Sequence, residues 1–349
     1  MIRITENANI TSLTTFGIPA ECGRLVEYDT PDDLARLAGD NIVDNTAICL
    51  GGGSNMLFAT GRSSATFLHC TDTRCSITAD DNGLAIIKCG AGTSLDQVCR
   101  LAAEQGLWGL ENLSGIPGTV GGAAVQNAGA YGVELADVLD HIDIFSYHTR
   151  SLERVTADSL DYGYRHSKFK DPAYADGRWI TSVTLKAYTT ARPNIAYKGL
   201  AQALGLGDHP SAHDLAALTP MAVRQAVLAV RQAKLPSPAT TGSAGSFFKN
   251  PVLTAAQYDR AAAMSGTEPP CHITADGNRK LSAAWLIDQA GCKGMQAGGA
   301  GLWPTQPLVI VNNGNATGAD VARLCEMIQQ AVAKKFGISL QPEVLFINS

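Results

Sequence analysis

Residues 115–132 read GIPGTVGGAAVQNAGAYG, and this stretch does most to decide the fold. Glycine and alanine dominate a span longer than an ordinary turn needs. A main chain with so little side-chain bulk lets a large flat ligand lie directly against it. A tightly packed turn would use glycine in the same way, so this stretch alone leaves both interpretations open.

A second glycine-rich segment precedes it at residues 48–55, ICLGGGSN, where an apolar run enters three glycines. Consecutive glycines let backbone N–H groups converge on an anion. Each hydrogen bond to a charged phosphate contributes about 1.5–3 kcal/mol, so a few of them can hold a pyrophosphate. A hairpin turn is the alternative, but two such segments in one domain favour a nucleotide-type cofactor. No G-x-G-x-x-G follows a strand and no G-K-[ST] closes a glycine loop, which argues against Rossmann and P-loop folds.

Bulk composition limits the possible classes of protein. With 349 residues, 45% of them hydrophobic, the chain predicts two or three folded domains. The net charge of −5 argues against a general nucleic-acid surface. The nine cysteines show no metal-ligand spacing, which favours reduced thiols. Because the first residues lack an apolar signal region and no run reaches membrane-spanning length, we predict a cytoplasmic protein with no membrane partner.

The order of elements predicts an α+β fold, because strands cluster instead of alternating regularly with helices. Strands are predicted at 22–28, 46–50, 65–70, 74–79, 84–89, 139–147 and 179–188. Thr30 and Ser94 are predicted to cap two helices in the first half. In the second half, helices are predicted at 220–234, from 254, at 283–290 and at 318–336, and the domain boundary between 188 and 219.

Three further clusters combine reactive groups with turn residues: 162–170 (YGYRHSKFK), 242–251 (GSAGSFFKNP) and 341–347 (QPEVLFI). Arg165 can clamp a carboxylate in bidentate fashion, although a solvated loop explains the first cluster equally well. Ser246 lies in a glycine turn that lacks the G-x-S-x-G pattern and an evident histidine base, so a serine hydrolase is disfavoured. If 341–347 is a strand, Glu343 shares an apolar face, where a carboxylate needs a partner or a raised pKa.

Taken together, these five clusters resemble the UDP-N-acetylenolpyruvoylglucosamine reductase family, also called UDP-N-acetylmuramate dehydrogenases, of bacterial cell-wall synthesis. The resemblance extends from residue 14 to the last strand, and Tyr197 resembles the tyrosine loop of the long form. It implies a vanillyl-alcohol-oxidase-type FAD-binding domain with two subdomains (1–200, completed by a returning strand at 338–349). A smaller α/β substrate-binding domain (215–337) is implied as well.

The resemblance also implies a two-stage reaction with non-covalent FAD and NADPH as co-substrate. NADPH would reduce FAD, and flavin N5 would then pass hydride to C3 of UDP-N-acetylglucosamine-enolpyruvate. A proton from Ser246 to C2 would complete UDP-N-acetylmuramate, a peptidoglycan precursor. The protein is expected to act as a monomer.

Residue roles follow from the same resemblance, position by position. Ser246, Arg165 and Glu343 would be catalytic, the last two by holding the substrate carboxylate and stabilising the enolate. Tyr197, Lys234 and Asn250 would grip the UDP-sugar, and Tyr164 would stack near the nicotinamide. The implied cofactor-binding positions are Gly51, Gly52, Gly53, Ser54, Asn55, Gly115, Pro117, Gly118, Thr119, Gly122, Ala123, Asn127, Gly129 and Ala130.

Two departures from the family pattern stand out. Leu345 occupies a position where many members have arginine, and Leu302 and Trp303 lie where others have a Val-His pair. Two alternatives also remain open: an oxidase of the same FAD-binding fold that uses O₂, and a nucleotide-sugar sensor without catalysis. Turnover that depends on NADPH would exclude the sensor.

Overall fold

A computed structural model describes residues 1–80, 82–197, 199–207, 209–274 and 276–348. Its contacts divide the chain into two compact units. Unit 1 consists of Met1–Ala8, Cys22–Gly52 and Ser64–Ala233, and unit 2 of Asn9–Glu21, Gly53–Ser63 and Lys234–Ser349. Within the described residues, no helix is long and apolar enough to cross a bilayer.

Strands are numbered in chain order. They are β1 (Arg3–Asn9), β2 (Glu21–Tyr28), β3 (Ile48–Cys49), β4 (Met56–Phe58), β5 (Arg62–Cys70), β6 (Cys75–Ala79), β7 (Leu84–Gly90), β8 (Gly129–Ala130), β9 (Val133–Glu134), β10 (Leu139–Ser146), β11 (Ser151–Thr156), β12 (Arg178–Tyr188), β13 (Gly242–Ser246), β14 (Val252–Leu253), β15 (Cys271–Ile273), β16 (Arg279–Leu281), β17 (Gln296–Ala297), β18 (Ala300–Trp303), β19 (Gln306–Asn312) and β20 (Leu345–Ile347).

Helices are numbered in the same way. They are α1 (Pro31–Gly39), α2 (Leu95–Glu104), α3 (Val120–Gln126), α4 (Leu135–Val138), α5 (Pro172–Ala175), α6 (Leu200–Ala203), α7 (Ala212–Ala216), α8 (Pro220–Lys234), α9 (Ala255–Ser265), α10 (Ala283–Gln289) and α11 (Gly318–Phe336). Short 3-10 turns lie at Thr11–Leu13, Glu111–Leu113, Ala157–Ser159 and Lys168–Lys170.

Unit 1 is built on two sheets with the strand orders β1-β2-β5-β3 and β11-β10-β12-β7-β6. Side chains alternate between the two faces of β7. Ala85, Ile87 and Cys89 therefore point into a core that also contains the apolar faces of α2 and α3. Helix α1 packs into a second core with its buried residues Leu34 and Leu37. The strands cluster as predicted, so the α+β class is confirmed.

Helix α8 packs into unit 1, because Val223, Ala226 and Val227 bury against Trp108 and Leu200. These contact-based units do not follow the predicted domain bounds, since 215–337 was assigned to substrate binding. The functional division of the chain into those domains stays a prediction.

Unit 2 contains the sheets β13-β19-β18-β17, β14-β16-β15 and β20-β4. Helices α10 and α11 cover its core through residues such as Leu286, Leu324 and Ile328. The last strand, β20, runs parallel to β4 and pairs Leu345 with Met56 and Ile347 with Phe58. Residues close to the C-terminus thereby lie beside the segment that follows the first glycine run.

Several predicted helix starts are confirmed at atomic detail. The Thr30 side chain accepts a hydrogen bond from the Asp33 amide, and the Ser94 side chain accepts one from the Gln97 amide. Helix α11 has the predicted bounds, with Gly337 at its end in the left-handed conformation that glycine tolerates best.

Candidate active site

The two glycine segments meet within unit 1. A Cβ placed on Gly52 would lie 2.7 Å from Gly118 Cα, and one on Gly51 would lie 2.8 Å from Thr119 Oγ1. A side chain at Gly52 would press on the main chain of the other segment, whereas one at Gly51 would have to displace the Thr119 side chain. The sequence predicted that both runs serve one ligand, and their main chains are in direct contact.

The second segment is held in shape by its own capping groups. Thr119 precedes α3, and its side chain accepts a hydrogen bond from the Gly122 amide at 3.2 Å. Asn127 ends α3 in the left-handed conformation and is fully buried. Its Nδ2 donates to Glu134 Oε2 and Gly163 O, and its Oδ1 accepts from the Ala136 amide. Any contact between Asn127 and a cofactor would therefore come from its main chain.

The start of this segment is fixed by an ion pair that the sequence analysis missed. Asp96 Oδ1 accepts from the Gly115 amide at 2.6 Å, and both Asp96 oxygens accept from Arg224 on α8. Burial would raise the pKa of Asp96, but the hydrogen bonds from Arg224 and Gly115 outweigh it and hold the pKa low. The only sequence signal for Asp96 was its place in the first turn of α2, where acidic residues are common.

Arg165 reaches the second glycine segment. Its Nη2 donates to Gly129 O at 3.0 Å, and its guanidinium lies 5.4 Å from the Tyr164 ring centre. The turn is closed by two backbone hydrogen bonds between Gly163 and His166. Arg165 has φ of +53°, which is uncommon for a residue with a side chain and concentrates at functional sites.

Tyr197 lies over the end of the same segment. Its ring is 4.8 Å from that of Tyr131, in an edge-to-face arrangement. Asn112, in the run that leads into this segment, donates to Tyr131 O and to Asn194 O, both at 2.8 Å. Asn194 in turn donates to Gly132 O at 3.1 Å, so the approach to Tyr197 is tied to the glycine segment.

Ser246 and Glu343 are brought together within unit 2. Ser246 ends β13 after a bulge, because two residues of β13 oppose one of β19 between the pairs Ser243–Val311 and Ser246–Val309. Gly245, with φ of +69°, makes the bulge possible, and Ser246 is exposed. The Glu343 amide donates to Phe247 O at 2.8 Å, which places the carboxylate-bearing residue beside the neighbour of Ser246.

Asn55 joins this arrangement from the first glycine segment. Its Nδ2 donates to Glu343 O at 3.1 Å, and its carbonyl accepts from the Leu345 amide at 2.9 Å. Gly53, in the same segment and the same unit, would clash with Leu13 O and Thr14 if it carried a Cβ. Asn55 therefore has a structural role beside its predicted cofactor role.

Two details differ from the sequence expectations for the last segment. The strand begins at Leu345, so Glu343 precedes it, and Leu345 itself is 49% exposed. Glu343 therefore does not share a buried apolar face with Leu345. The reason is that β20 pairs with β4 only from Met56 onward.

The remaining predicted substrate-binding residues also lie in unit 2. Asn250 Oδ1 accepts from the Ala283 amide at 2.9 Å, where α10 begins. Lys234 ends α8, is exposed, and its carbonyl accepts from Thr305 Oγ1. Of the two residues that lie where other family members have a Val-His pair, Leu302 is buried and Trp303 is partly buried.

The residues around the glycine segments fit a polar cofactor. Two side-chain atoms beside the second segment, Ser114 Oγ and Gln126 Oε1, are buried without a hydrogen-bond partner in the described chain. Buried polar groups without a partner are costly, and a polar ligand would satisfy them. At Gly122, an added Cβ would meet Thr119 Oγ1 only at 3.5 Å, so the main chain is open there. No cluster of metal-binding side chains is found among the described residues.

Comparison with known proteins defines the class. Residues 26–149 match the model of an FAD binding domain, and residues 237–347 match the C-terminal domain model of UDP-N-acetylenolpyruvoylglucosamine reductase. A solvent-stable cholesterol oxidase shares the fold, with a TM-score of 0.52, 13% identity and coverage of 98% of this chain and 87% of that one. The chain is thus an FAD-binding oxidoreductase with a vanillyl-alcohol-oxidase-type cofactor domain and a second domain.

Full-length relatives identify the family. The chain is 42% identical to the UDP-N-acetylenolpyruvoylglucosamine reductase of Azoarcus sp. (99% of this chain, 98% of the relative) and 38% identical to that of Dechloromonas aromatica (98% and 99%). The crystal structure of the Thermus caldophilus reductase matches with a TM-score of 0.67 and 26% identity, covering 99% of this chain and all of that one. The chain belongs to the UDP-N-acetylenolpyruvoylglucosamine reductase family, and FAD is its cofactor.

Proposed function

We propose that this chain reduces UDP-N-acetylglucosamine-enolpyruvate to UDP-N-acetylmuramate with NADPH as the reductant, in peptidoglycan precursor synthesis. Family membership supports the substrate, and the geometry around Ser246 supports the chemistry. The observation that carries the proposal is the exposed Ser246 hydroxyl, presented by a glycine bulge next to the Phe247–Glu343 hydrogen bond. When bound, FAD supplies two-electron transfer between NADPH and the enolpyruvyl group.

Ser246 donates the proton to C2 of the substrate. A hydroxyl is neutral before it acts and therefore places no charge next to the cofactor. Phe247 and Phe248 follow it and are fully buried, with ring centres 5.3 Å apart. This packing holds the end of β13 in place, so that the orientation of the hydroxyl depends on few free torsions.

Arg165 binds the substrate carboxylate and stabilises the charge that develops on it. Glu343 assists when it is protonated or tied to a cation, because a bare carboxylate would repel that charge. Arg165 is positioned by its hydrogen bond to Gly129 O and by Lys170 Nζ, which donates to the Arg165 carbonyl at 2.8 Å. Glu343 is positioned by its amide, which donates to Phe247 O, and by its carbonyl, which accepts from Asn55 Nδ2. Fixed groups of this kind lower a barrier because they need not reorganise during the reaction.

Tyr197, Lys234 and Asn250 bind the UDP-sugar, and Tyr164 lies near the nicotinamide. The NADPH-facing and substrate-facing roles are supported by family membership and by the chemistry of these side chains. We further propose that 1–200 with 338–349 forms the FAD-binding domain, that 215–337 binds the substrate, and that the enzyme is a cytoplasmic monomer without nucleic-acid or membrane partners.

Separate measurement of the two half-reactions in Ser246→Ala tests this assignment. We expect flavin reduction by NADPH to stay near the wild-type rate. Reoxidation by the enolpyruvyl substrate should slow by about 100-fold or more, which is the usual contribution of a general acid. Ser243→Ala, on the same strand before the bulge, is the control and should leave both rates near wild type. Equal losses in both half-reactions of Ser246→Ala would show that the role is wrong.

A further inference from the structure

Two cysteines face each other at the edge of the five-stranded sheet of unit 1. Cys75 is the first residue of β6, Cys89 lies near the end of β7, and the strand register pairs them directly. Their Sγ atoms are 3.3 Å apart, and both thiols are free. This dithiol takes no part in the reaction proposed above.

The backbone pairing at this position allows a bond between the two sulfurs. Directly paired residues of antiparallel strands alternate between hydrogen-bonded and non-hydrogen-bonded pairs. The Gly90 amide donates to Arg74 O at 2.9 Å, and the Asp80 amide donates to Leu84 O at 2.8 Å. Arg74–Gly90 and Asp80–Leu84 are therefore hydrogen-bonded pairs. Because the two kinds of pair alternate along the strands, Cys75 and Cys89 form a non-hydrogen-bonded pair.

Non-hydrogen-bonded pairs bring the two Cα atoms to about 4.5 Å, which is inside the range of about 4.4–6.8 Å that disulfides require. The side chains of such a pair also point to the same face of the sheet. Since a bonded S–S distance is about 2.05 Å, the two sulfurs need to approach by only a little more than 1 Å.

The two thiols differ in access. β6 is the edge strand of its sheet, and Cys75 is partly exposed there. Cys89 is fully buried among Ala85, Ile87 and Cys99. An attacking reagent therefore meets Cys75 first.

The two thiols also differ in acidity, and Cys75, the more accessible thiol, is also the more acidic one. The hydrogen bond with Cys89 lowers the pKa of Cys75. The same hydrogen bond, together with burial, raises the pKa of Cys89. Because the thiolate is the nucleophile in thiol chemistry, Cys75 is the reactive member and Cys89 the resolving one.

We propose that Cys75 and Cys89 form a thiol–disulfide exchange site that reacts with low-molecular-weight disulfides. The Cys75 thiolate attacks one sulfur of the disulfide R–S–S–R, forms a mixed disulfide and releases one thiolate R–S⁻. The sulfur of Cys89 then attacks Sγ of Cys75 and breaks the mixed disulfide, and the departing sulfur takes the Cys89 proton and leaves as R–SH. The protein dithiol is oxidised by two electrons and the small disulfide is reduced to two thiols.

The site adjoins the support of the second glycine segment. Directly after β7, Ala91 O accepts from the Gly121 amide at 3.0 Å and Thr93 O accepts from the Val120 amide at 2.8 Å. A disulfide between β6 and β7 would therefore constrain the strand whose end holds the first turn of α3.

The test uses the native FAD-loaded protein and oxidised glutathione, followed by acid quenching, alkylation of remaining thiols, digestion and mass spectrometry. In the wild type we expect a Cys75–Cys89 cross-linked peptide with no glutathione on either residue. Cys89→Ser removes the resolving thiol, so glutathione should remain on Cys75. In Cys75→Ser, Cys89 should stay reduced. Cys271→Ser, which changes an exposed thiol on β15, is the control and should cross-link like the wild type.

Cys271 in the wild type also serves as an internal marker of the oxidant. If Cys271 acquires glutathione while Cys75 and Cys89 both stay reduced, the proposal is overturned. Stable glutathione on Cys75 of the wild type, without a cross-link, would overturn it as well. Glutathione on Cys89 in Cys75→Ser would overturn the assignment of Cys75 as the attacking thiol.

Discussion

At the scale of single residues, the proposed catalytic residues are positioned largely by main-chain hydrogen bonds. Ser246 is oriented by a glycine bulge, and Glu343 by hydrogen bonds of its own amide and carbonyl. Arg165 is held by Gly129 O on one side and by Lys170 on the other. The side chains at these positions can be exchanged without removing the contacts of their main chains, which makes substitutions there informative.

Glu343 offers the first such test. If it stabilises the enolate by a hydrogen bond, Glu343→Gln should be about tenfold or more as active as Glu343→Ala, since a hydrogen bond to a charged group contributes about 1.5–3 kcal/mol. Turnover with saturating NADPH and substrate measures the difference. Equal losses in the two variants would argue against a hydrogen-bonding role for Glu343.

Glu111 offers a test of pH dependence. It is 2% exposed, accepts a hydrogen bond from the Gly109 amide at 2.7 Å, and burial raises its pKa above the ordinary value. A carboxyl whose pKa is raised on folding favours the folded state at low pH. That contribution is lost as the pH rises from the ordinary glutamate pKa through the higher value in the folded protein. Each pKa unit of the shift corresponds to about 1.4 kcal/mol in the free energy of unfolding.

Glu111→Gln keeps a hydrogen-bond acceptor and cannot ionise. Relative to the wild type, the variant should therefore gain stability as the pH rises across that window. Urea unfolding at about pH 4.3, the ordinary glutamate value, and at pH 7 measures the change. The exposed Glu104→Gln on α2 is the control. Parallel pH dependence of the wild type and Glu111→Gln would show that burial does not govern this carboxyl.

At the scale of elements, the contact between the two glycine segments sets the geometry of the proposed cofactor site. Gly52→Ala places a methyl group against Gly118 Cα, so we expect the segments to separate and FAD affinity to fall by about tenfold or more, equivalent to about 1.4 kcal/mol. Flavin fluorescence on dilution measures the affinity. Gly39→Ala, at the end of α1 with no atom within 4 Å of the added Cβ, is the matched control. Equal FAD affinity in both variants would contradict the role of this contact.

Elements with a strong local signal were predictable from the sequence. α11 has an apolar stripe, a threonine cap and a terminal glycine, and its bounds were predicted correctly. β1 was missed, because its sequence RITENAN is polar and almost wholly exposed. β11 and β19 were missed as well, and the predicted strand at 46–50 is reduced to β3, Ile48–Cys49. Pairing with distant strands decides such short segments, and local sequence carries little of that information.

The residues of the candidate site were predicted from five sequence motifs and their order along the chain, and family membership supports that prediction. The contacts that hold them, such as Asp96 with Arg224 or Asn112 with Asn194, join residues far apart in sequence and have no local pattern. Individual roles at the site stay predictions that the experiments above test.

At the scale of the whole molecule, the predicted residues are distributed over both units. Unit 1 carries the second glycine segment, Arg165, Tyr164 and Tyr197, and unit 2 carries Ser246, Glu343, Asn250 and Lys234. The matched family models cover 26–149 and 237–347, one in the first half of the chain and one in the second. The proposed activity therefore requires the complete chain.

An anaerobic titration of the FAD-loaded protein, followed by visible absorbance, tests the central claim most directly. NADPH should bleach the absorbance of oxidised flavin, and UDP-N-acetylglucosamine-enolpyruvate added without oxygen should restore it in proportion to the substrate added. Flavin that stays bleached with this substrate and recovers only when air is admitted would contradict the account and favour an oxidase of the same fold.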